Sequence, residues 1–176
     1  VNNALEQYVQ SRVQDAKFAS WLGSSSQETA RVIERYIQQL RPSANALKAI
    51  LELARDIAAR DDTSLVQVLG EAELTQVLGD GDLNKKDKYA RIRYLIERKR
   101  FPEKAAVEDA LHLLTKELLS THGIRLELPD DLEGDSISMN LRFRSKEELL
   151  QVSERVSQLS KDERVARVFE LLSGQD

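Results

Sequence analysis

The residues with the most to offer chemically are gathered in one stretch, Asn84 to Lys104. It holds nine Lys/Arg against three acids, a local charge of +6 in a chain of net −4, which leaves −10 for the rest. An asymmetry of this kind marks a place where an anion can dock. At helical spacing Tyr89, Ile92, Leu95 and Ile96 share one stripe, while Arg91, Tyr94 and Arg98 share the opposite side. An aromatic ring between two guanidinium groups suits phosphate contact combined with base stacking. The nucleic-acid contacts expected on this reading are Lys86, Lys88, Arg91, Arg93, Arg98, Lys99 and Arg100, with Tyr94 stacking. DNA is the favoured ligand, and RNA would use the same side chains. The competing expectation is an amphipathic helix whose charged face grips an acidic protein surface, a partner's or the chain's own N-terminal half.

The remaining candidates lead away from catalysis. The two histidines, His112 and His122, are ten positions apart and form no i, i+4 metal pair. His112 is expected near the core face of its helix and His122 at its end, both in structural roles. Asp130, Asp131, Glu133 and Asp135 crowd one loop, where like charges repel and no paired acid and base is held in a cleft. The segment DGDLN (80–84) opens like a calcium loop but then has Lys85 where Gly is needed and Arg91 where the bidentate Glu belongs. The serines of 24–27 have no nucleophile elbow around them, and neither a Walker loop nor a dinucleotide fingerprint occurs. The expectation is a non-enzymatic chain with no cofactor and no metal.

The elements that must carry these residues read as mostly helical. Residues 3–22 repeat Leu5, Tyr8, Val9, Val13, Ala16, Phe18 and Leu22 at roughly helical spacing, with Trp21 and Gly23 at the end. Ser25 and Glu28 have capping-box spacing ahead of Val32, Ile33, Tyr36, Ile37 and Leu40, and Pro42 stops that helix. Ser43 caps a third, with Leu47, Ile50, Leu51, Ala54, Ile57 and Ala58 on its buried face. Two short helices follow, ending near Gly70 and Gly79. QVLGEAEL is echoed there by QVLGDGDL, too short and too few copies for a repeat fold. Asp82 or Asn84 caps the basic helix, Pro102 ends it, and another helix runs from about Glu103 to Thr121.

The period then changes. IRLEL (124–128) and SISMNLRF (136–143) alternate apolar and polar residues around a turn-rich PDDLEGD, predicting an antiparallel pair. Ser145 with Glu148, and Ser160 with Glu163, predict two closing helices. The expected fold is therefore mainly α (α+β). An N-terminal helical bundle (1–83) is followed by the basic and connecting helices (84–121), then by a small helix–strand–strand–helix–helix unit with a β-hairpin (122–176). Two strands alone are marginal, so strands of a second copy are expected to complete the layer in a homodimer.

The segments LLTKELLSTHGIRLELPDD and SISMNLRFRSKEELLQVSERV also resemble the C-terminal dimerisation region of bacterial ParB-type chromosome partition proteins. The resemblance covers roughly 111–156, about a quarter of the chain. It implies dimerisation and a non-specific DNA-binding surface. The family's Arg-rich nucleotide boxes and its helix-turn-helix are not recognisable here, so nucleotide hydrolysis and centromere reading are not implied.

With 176 residues, 41% hydrophobic and 32% charged, the chain can bury a substantial core under a charged surface. No apolar run approaches a membrane span of about 20 residues. There is no cysteine and no secretory signal, which points to a cytoplasmic location. The start at Val1 suggests a portion of a longer protein.

Overall fold

The computed structural model describes residues 3–129, 132, 134 and 136–174. Among them are ten helices and one two-stranded antiparallel hairpin, so the chain is mainly α with a small β element, as expected. The chain divides into two compact units, one reaching to Pro102 and the other beginning at Glu103. The expected intermediate segment 84–121 is split between them, because each of its two helices supplies side chains to a different core.

In the first unit the single helix expected over 3–22 is two, α1 (Asn3–Arg12) and α2 (Ala16–Gly23). Asp15 breaks it: its carboxylate accepts hydrogen bonds from the amides of Lys17 and Phe18 and so starts a new helix. Helix α3 (Gln27–Leu40) is capped by Ser26, which accepts from the Thr29 amide. The expected cap, Ser25, instead donates its hydroxyl to the Leu22 carbonyl and closes α2. Ser43 caps α4 (Ala44–Arg60) as expected, by accepting from the Ala46 amide. Ser64 and Gln67 form a full capping box on the short α5 (Leu65–Leu69). At its end Gly70 is required, since a Cβ there would lie 2.8 Å from the Val66 carbonyl oxygen. Helix α6 (Ala72–Gly79) follows, and Asn84, accepting from the Asp87 amide, caps the basic helix α7 (Lys85–Arg100).

The core of this unit runs from Leu5 to Ile96. Ile33, Leu47, Ile50, Ala54, Leu74, Ile92 and Ile96 are wholly excluded from solvent. Burial on this scale contributes about 25 cal/mol for each Å² of apolar surface removed from water. Two phenols reach into it with their hydroxyls satisfied. Tyr36 donates to the Leu69 carbonyl at 2.9 Å and Tyr8 to the Pro42 carbonyl at 3.1 Å. Burial pushes both phenols above their ordinary pKa. Phe18 and Trp21 stack at 6.1 Å, with Arg55 over the indole, at one edge of this core.

The second unit begins with α8 (Pro102–His122), which feeds Leu111 and Leu118 into a separate core with Ile124, Leu126, Leu159 and Val168. The two strands are much shorter than the alternation promised. Strand β1 (Leu126–Glu127) pairs with β2 (Ser138–Met139), Leu126 opposite Met139. Leu126 is buried, and Ile137 and Leu141 of the second alternating run pack against the same core, but Met139 and Phe143 between and beyond them are exposed, so the run is covered only in part. The acidic cluster Asp130, Asp131, Glu133 and Asp135 lies outside the described residues.

Helix α9 (Lys146–Leu159) is capped by Ser145 as expected, while Glu148 returns its carboxylate one residue further, to the Arg144 amide. Helix α10 (Glu163–Ser173) is capped by Asp162 rather than by Ser160. Ser160 ends α9 instead, its hydroxyl donated to the Ser157 carbonyl. Of the residues expected to cover the sheet, Val152 and Leu159 are buried, Val156 is half-buried and Leu149 is exposed.

Candidate functional site

Helix α7 is built into the first unit by its apolar stripe. Ile92, Leu95 and Ile96 are buried and Tyr89 packs against them, with α3, α4 and α6 as neighbours. This geometry places the basic side chains in very different surroundings.

Lys88 leaves the expected phosphate-contacting set. It is only 8% exposed, on the buried side, and its ammonium donates to the Leu78 carbonyl at 2.8 Å. The aliphatic stem packs while the charge meets one of the carbonyls that a helix end leaves unpaired. Arg93 bridges to Glu97 one turn on at 2.7 Å, and that carboxylate raises the guanidinium pKa. Lys99 pairs with Glu71, and Arg100 with Asp56 at 3.0 Å while lying 4.9 Å from the Phe101 ring centre. Arg60 donates to the carbonyls of Lys99 and Arg100 and so closes the C-terminal end of α7 with a cation. These four of the eight expected contact residues are thus held by contacts within the first unit.

The other four keep the outward side. Lys86 and Arg91 are exposed, Arg98 is half-buried, and Tyr94 is 44% exposed. The ring of Tyr94 has the Arg91 guanidinium at 5.6 Å and that of Arg98 at 5.4 Å, both in cation–π range. The triad expected from helical spacing is therefore assembled.

Beside it lies a feature that charge counting along the helix missed. A groove of about 650 Å³ runs between α6 and α7, with Val77, Leu83, Ala90 and Leu95 among its lining residues. Glu73 and Asp80 from one wall and Asp87 from the other bring three carboxylates to it, against the single cation Arg91. The stripe expected to attract phosphate thus borders a surface that repels it. The signal was present in the sequence as Glu73, Asp80 and Asp87. Their convergence depends on how α6 turns back onto α7.

In the second unit a cluster of polar groups joins α8 to α10. His122, at the end of α8, lies 2.9 Å from the Asp162 carboxylate. Arg164 donates to that same carboxylate and to Thr121, and pairs with Glu117 at 3.6 Å. The Arg164 guanidinium, then His122, then the Arg164 amide hold the Asp162 carboxyl well below the ordinary carboxylate range. All these groups face one another across the junction of α8 with α10, which makes the cluster a clasp. His112 is exposed rather than near the core face, because α8 turns Leu111 inward instead. Among the described residues no three His or acidic side chains are grouped to hold a metal ion, and no helix is long and apolar enough to cross a membrane.

Compared with models of known protein families, with curated proteins and with solved structures, the chain matches none.

Proposed function

We propose that this chain is a non-enzymatic protein-interaction module that pairs with a second copy of itself through α9. The observation that carries this reading is the outward face of that helix. Leu150 stands 62% exposed in the first half of α9, with Lys146 one turn before and Glu154 one turn after. Neither charge has an ion-pair partner among the described residues. In an antiparallel pairing about a two-fold axis at Leu150, each Lys146 meets Glu154 of the second copy and the two leucines cover each other. The surroundings favour the same unit: of eight large exposed apolar side chains among the described residues, six belong to residues 103–176. One helix face falls short of the roughly 800 Å² per partner of a standard interface, so the pairing is weak unless Phe143 and Met139 join it. The ParB resemblance leads to the same expectation of dimerisation.

Light scattering after size exclusion, over a wide concentration range, tests this. A mass rising toward the dimer with concentration is expected. Leu150→Glu abolishes the rise, Lys146→Glu weakens it, and Lys146→Glu with Glu154→Lys restores it. A monomer at every concentration, or a double variant no better than the single, overturns the reading.

Nucleic-acid binding stands as a second reading, favoured by the assembled Arg91–Tyr94–Arg98 triad. Its test is anisotropy of labelled duplex DNA, single-stranded DNA and RNA at low and physiological salt. Salt-sensitive binding lost in Arg91→Glu/Arg98→Glu supports it, and the preferred strand names its kind. No binding at low salt sinks it.

A further inference from the structure

We propose that the groove between α6 and α7 is a docking site for a cationic amphipathic segment of another protein. Three properties of the groove select that occupant. Its volume, about 650 Å³, has room for several side chains from one face of a segment lying along it. Its lining includes the apolar side chains of Val77, Leu83, Ala90 and Leu95, so the occupant must offer apolar side chains in return. Its rim carries Glu73, Asp80 and Asp87, three carboxylates on two opposed walls, so the flanking groups of the occupant must be cationic.

The carboxylates are available. Among the described residues Asp80 accepts only from the Asp82 amide, and Asp87 only from the side-chain amide of Asn84, leaving acceptor capacity on each. None of the three has a Lys or Arg partner among the described residues, although Arg91 lines the same groove. The Arg91 guanidinium lies near the Tyr94 ring at 5.6 Å. There it is the one cation among the groove's lining residues, on the same wall as Asp87. An amphipathic helix meets all these demands, because its i, i+3, i+4 stripe fills an apolar trough while Lys and Arg on its flanks reach the rim. A nucleic acid does not, since its phosphates would face three carboxylates.

The site is independent of the α9 pairing proposed above, and the test keeps the two apart by using the Leu150→Glu background alongside the wild type. The probe is a fluorescein-labelled peptide of about 18 residues, Leu and Lys only, patterned as an amphipathic helix. Two controls accompany it, one with each Leu replaced by Ser and one with each Lys replaced by Glu. Anisotropy is followed at low and physiological salt, with circular dichroism confirming that every variant is folded. The expected result is saturable binding to both the wild type and Leu150→Glu, weakened at least tenfold in Glu73→Lys/Asp80→Lys. A milder Glu73→Gln/Asp87→Asn variant weakens it less, and neither control peptide binds comparably. Equal affinity for the wild type and the charge-reversed groove overturns the proposal, as does an undiminished affinity for the Ser peptide or no binding at all. A protein that takes the peptide but stays monomeric loses the dimer and keeps the groove. A dimer that ignores the peptide does the reverse.

Discussion

The ammonium of Lys88 ends 2.8 Å from the Leu78 carbonyl at the C-terminal end of α6, in a place almost closed to solvent. It ties α7 to α6 and answers an acceptor that a helix end leaves open. Lys88→Met keeps much of the packed volume but strands that carbonyl, at a cost of about 1–3 kcal/mol. A lowered urea midpoint with unchanged peptide binding is the expected outcome, and an unchanged midpoint refutes the tie. Asp162 gives a residue-scale prediction with a pH sign. Its carboxyl is held below the ordinary range by Arg164 and His122, so the folded state resists protonation more than the unfolded one does. The stabilisation is whole above the unfolded carboxylate pKa of about 4 and fades as pH falls through the lower, folded value. In urea titrations the gap between wild type and Asp162→Asn should be wide near neutral pH and should close in acid. A gap that widens on acidification reverses the argument.

Helix α7 shows, at the scale of an element, what was legible in the chain and what was not. Its stripe of Tyr89, Ile92, Leu95 and Ile96 follows from spacing alone, and so does the Arg91–Tyr94–Arg98 triad, because both depend only on 3.6-residue geometry. The pairings of Lys99 with Glu71 and Arg100 with Asp56 were not legible, since they join residues that only the packing of α4 and α6 on α7 brings together. Caps failed by a residue or two where several candidates stood side by side, as Ser25 against Ser26 and Ser160 against Asp162. There the winner is decided by which neighbouring carbonyls need a donor. The strands failed for a different reason: of the apolar residues alternating over 136–143, Ile137 and Leu141 are covered by the second core while Met139 and Phe143 are not. The two faces of α7 carry a direct consequence. Ile96→Ala removes a wholly buried side chain and should cost about 2–5 kcal/mol. Tyr94→Ala, on the outward side, should stay within about 0.5 kcal/mol. Comparable losses in denaturant titrations would mean that the triad is a structural brace rather than a free surface.

Among the described residues there are two apolar cores that share no residue, one running from Leu5 to Ile96 and the other built on Leu111, Leu118, Ile124, Leu126, Leu159 and Val168. Cooperativity in unfolding comes from a common core, so two cores predict two transitions. The chain carries its own probe for separating them, because its one tryptophan, Trp21, packs against the first core. Leu118→Ala opens a cavity in the second core at a cost of about 2–5 kcal/mol. Helix loss by circular dichroism should then begin at lower urea, while the fluorescence transition of Trp21 keeps its midpoint. Ile50→Ala, in the first core, should move the Trp21 transition and leave the other in place. If Leu118→Ala displaces the fluorescence transition as far as the dichroism, the chain unfolds as one body. The α9 pairing and the α6–α7 groove would then be linked through its stability. If the transitions separate, the proposed functions reside on units that stand or fall on their own, and losing one by mutation leaves the other measurable.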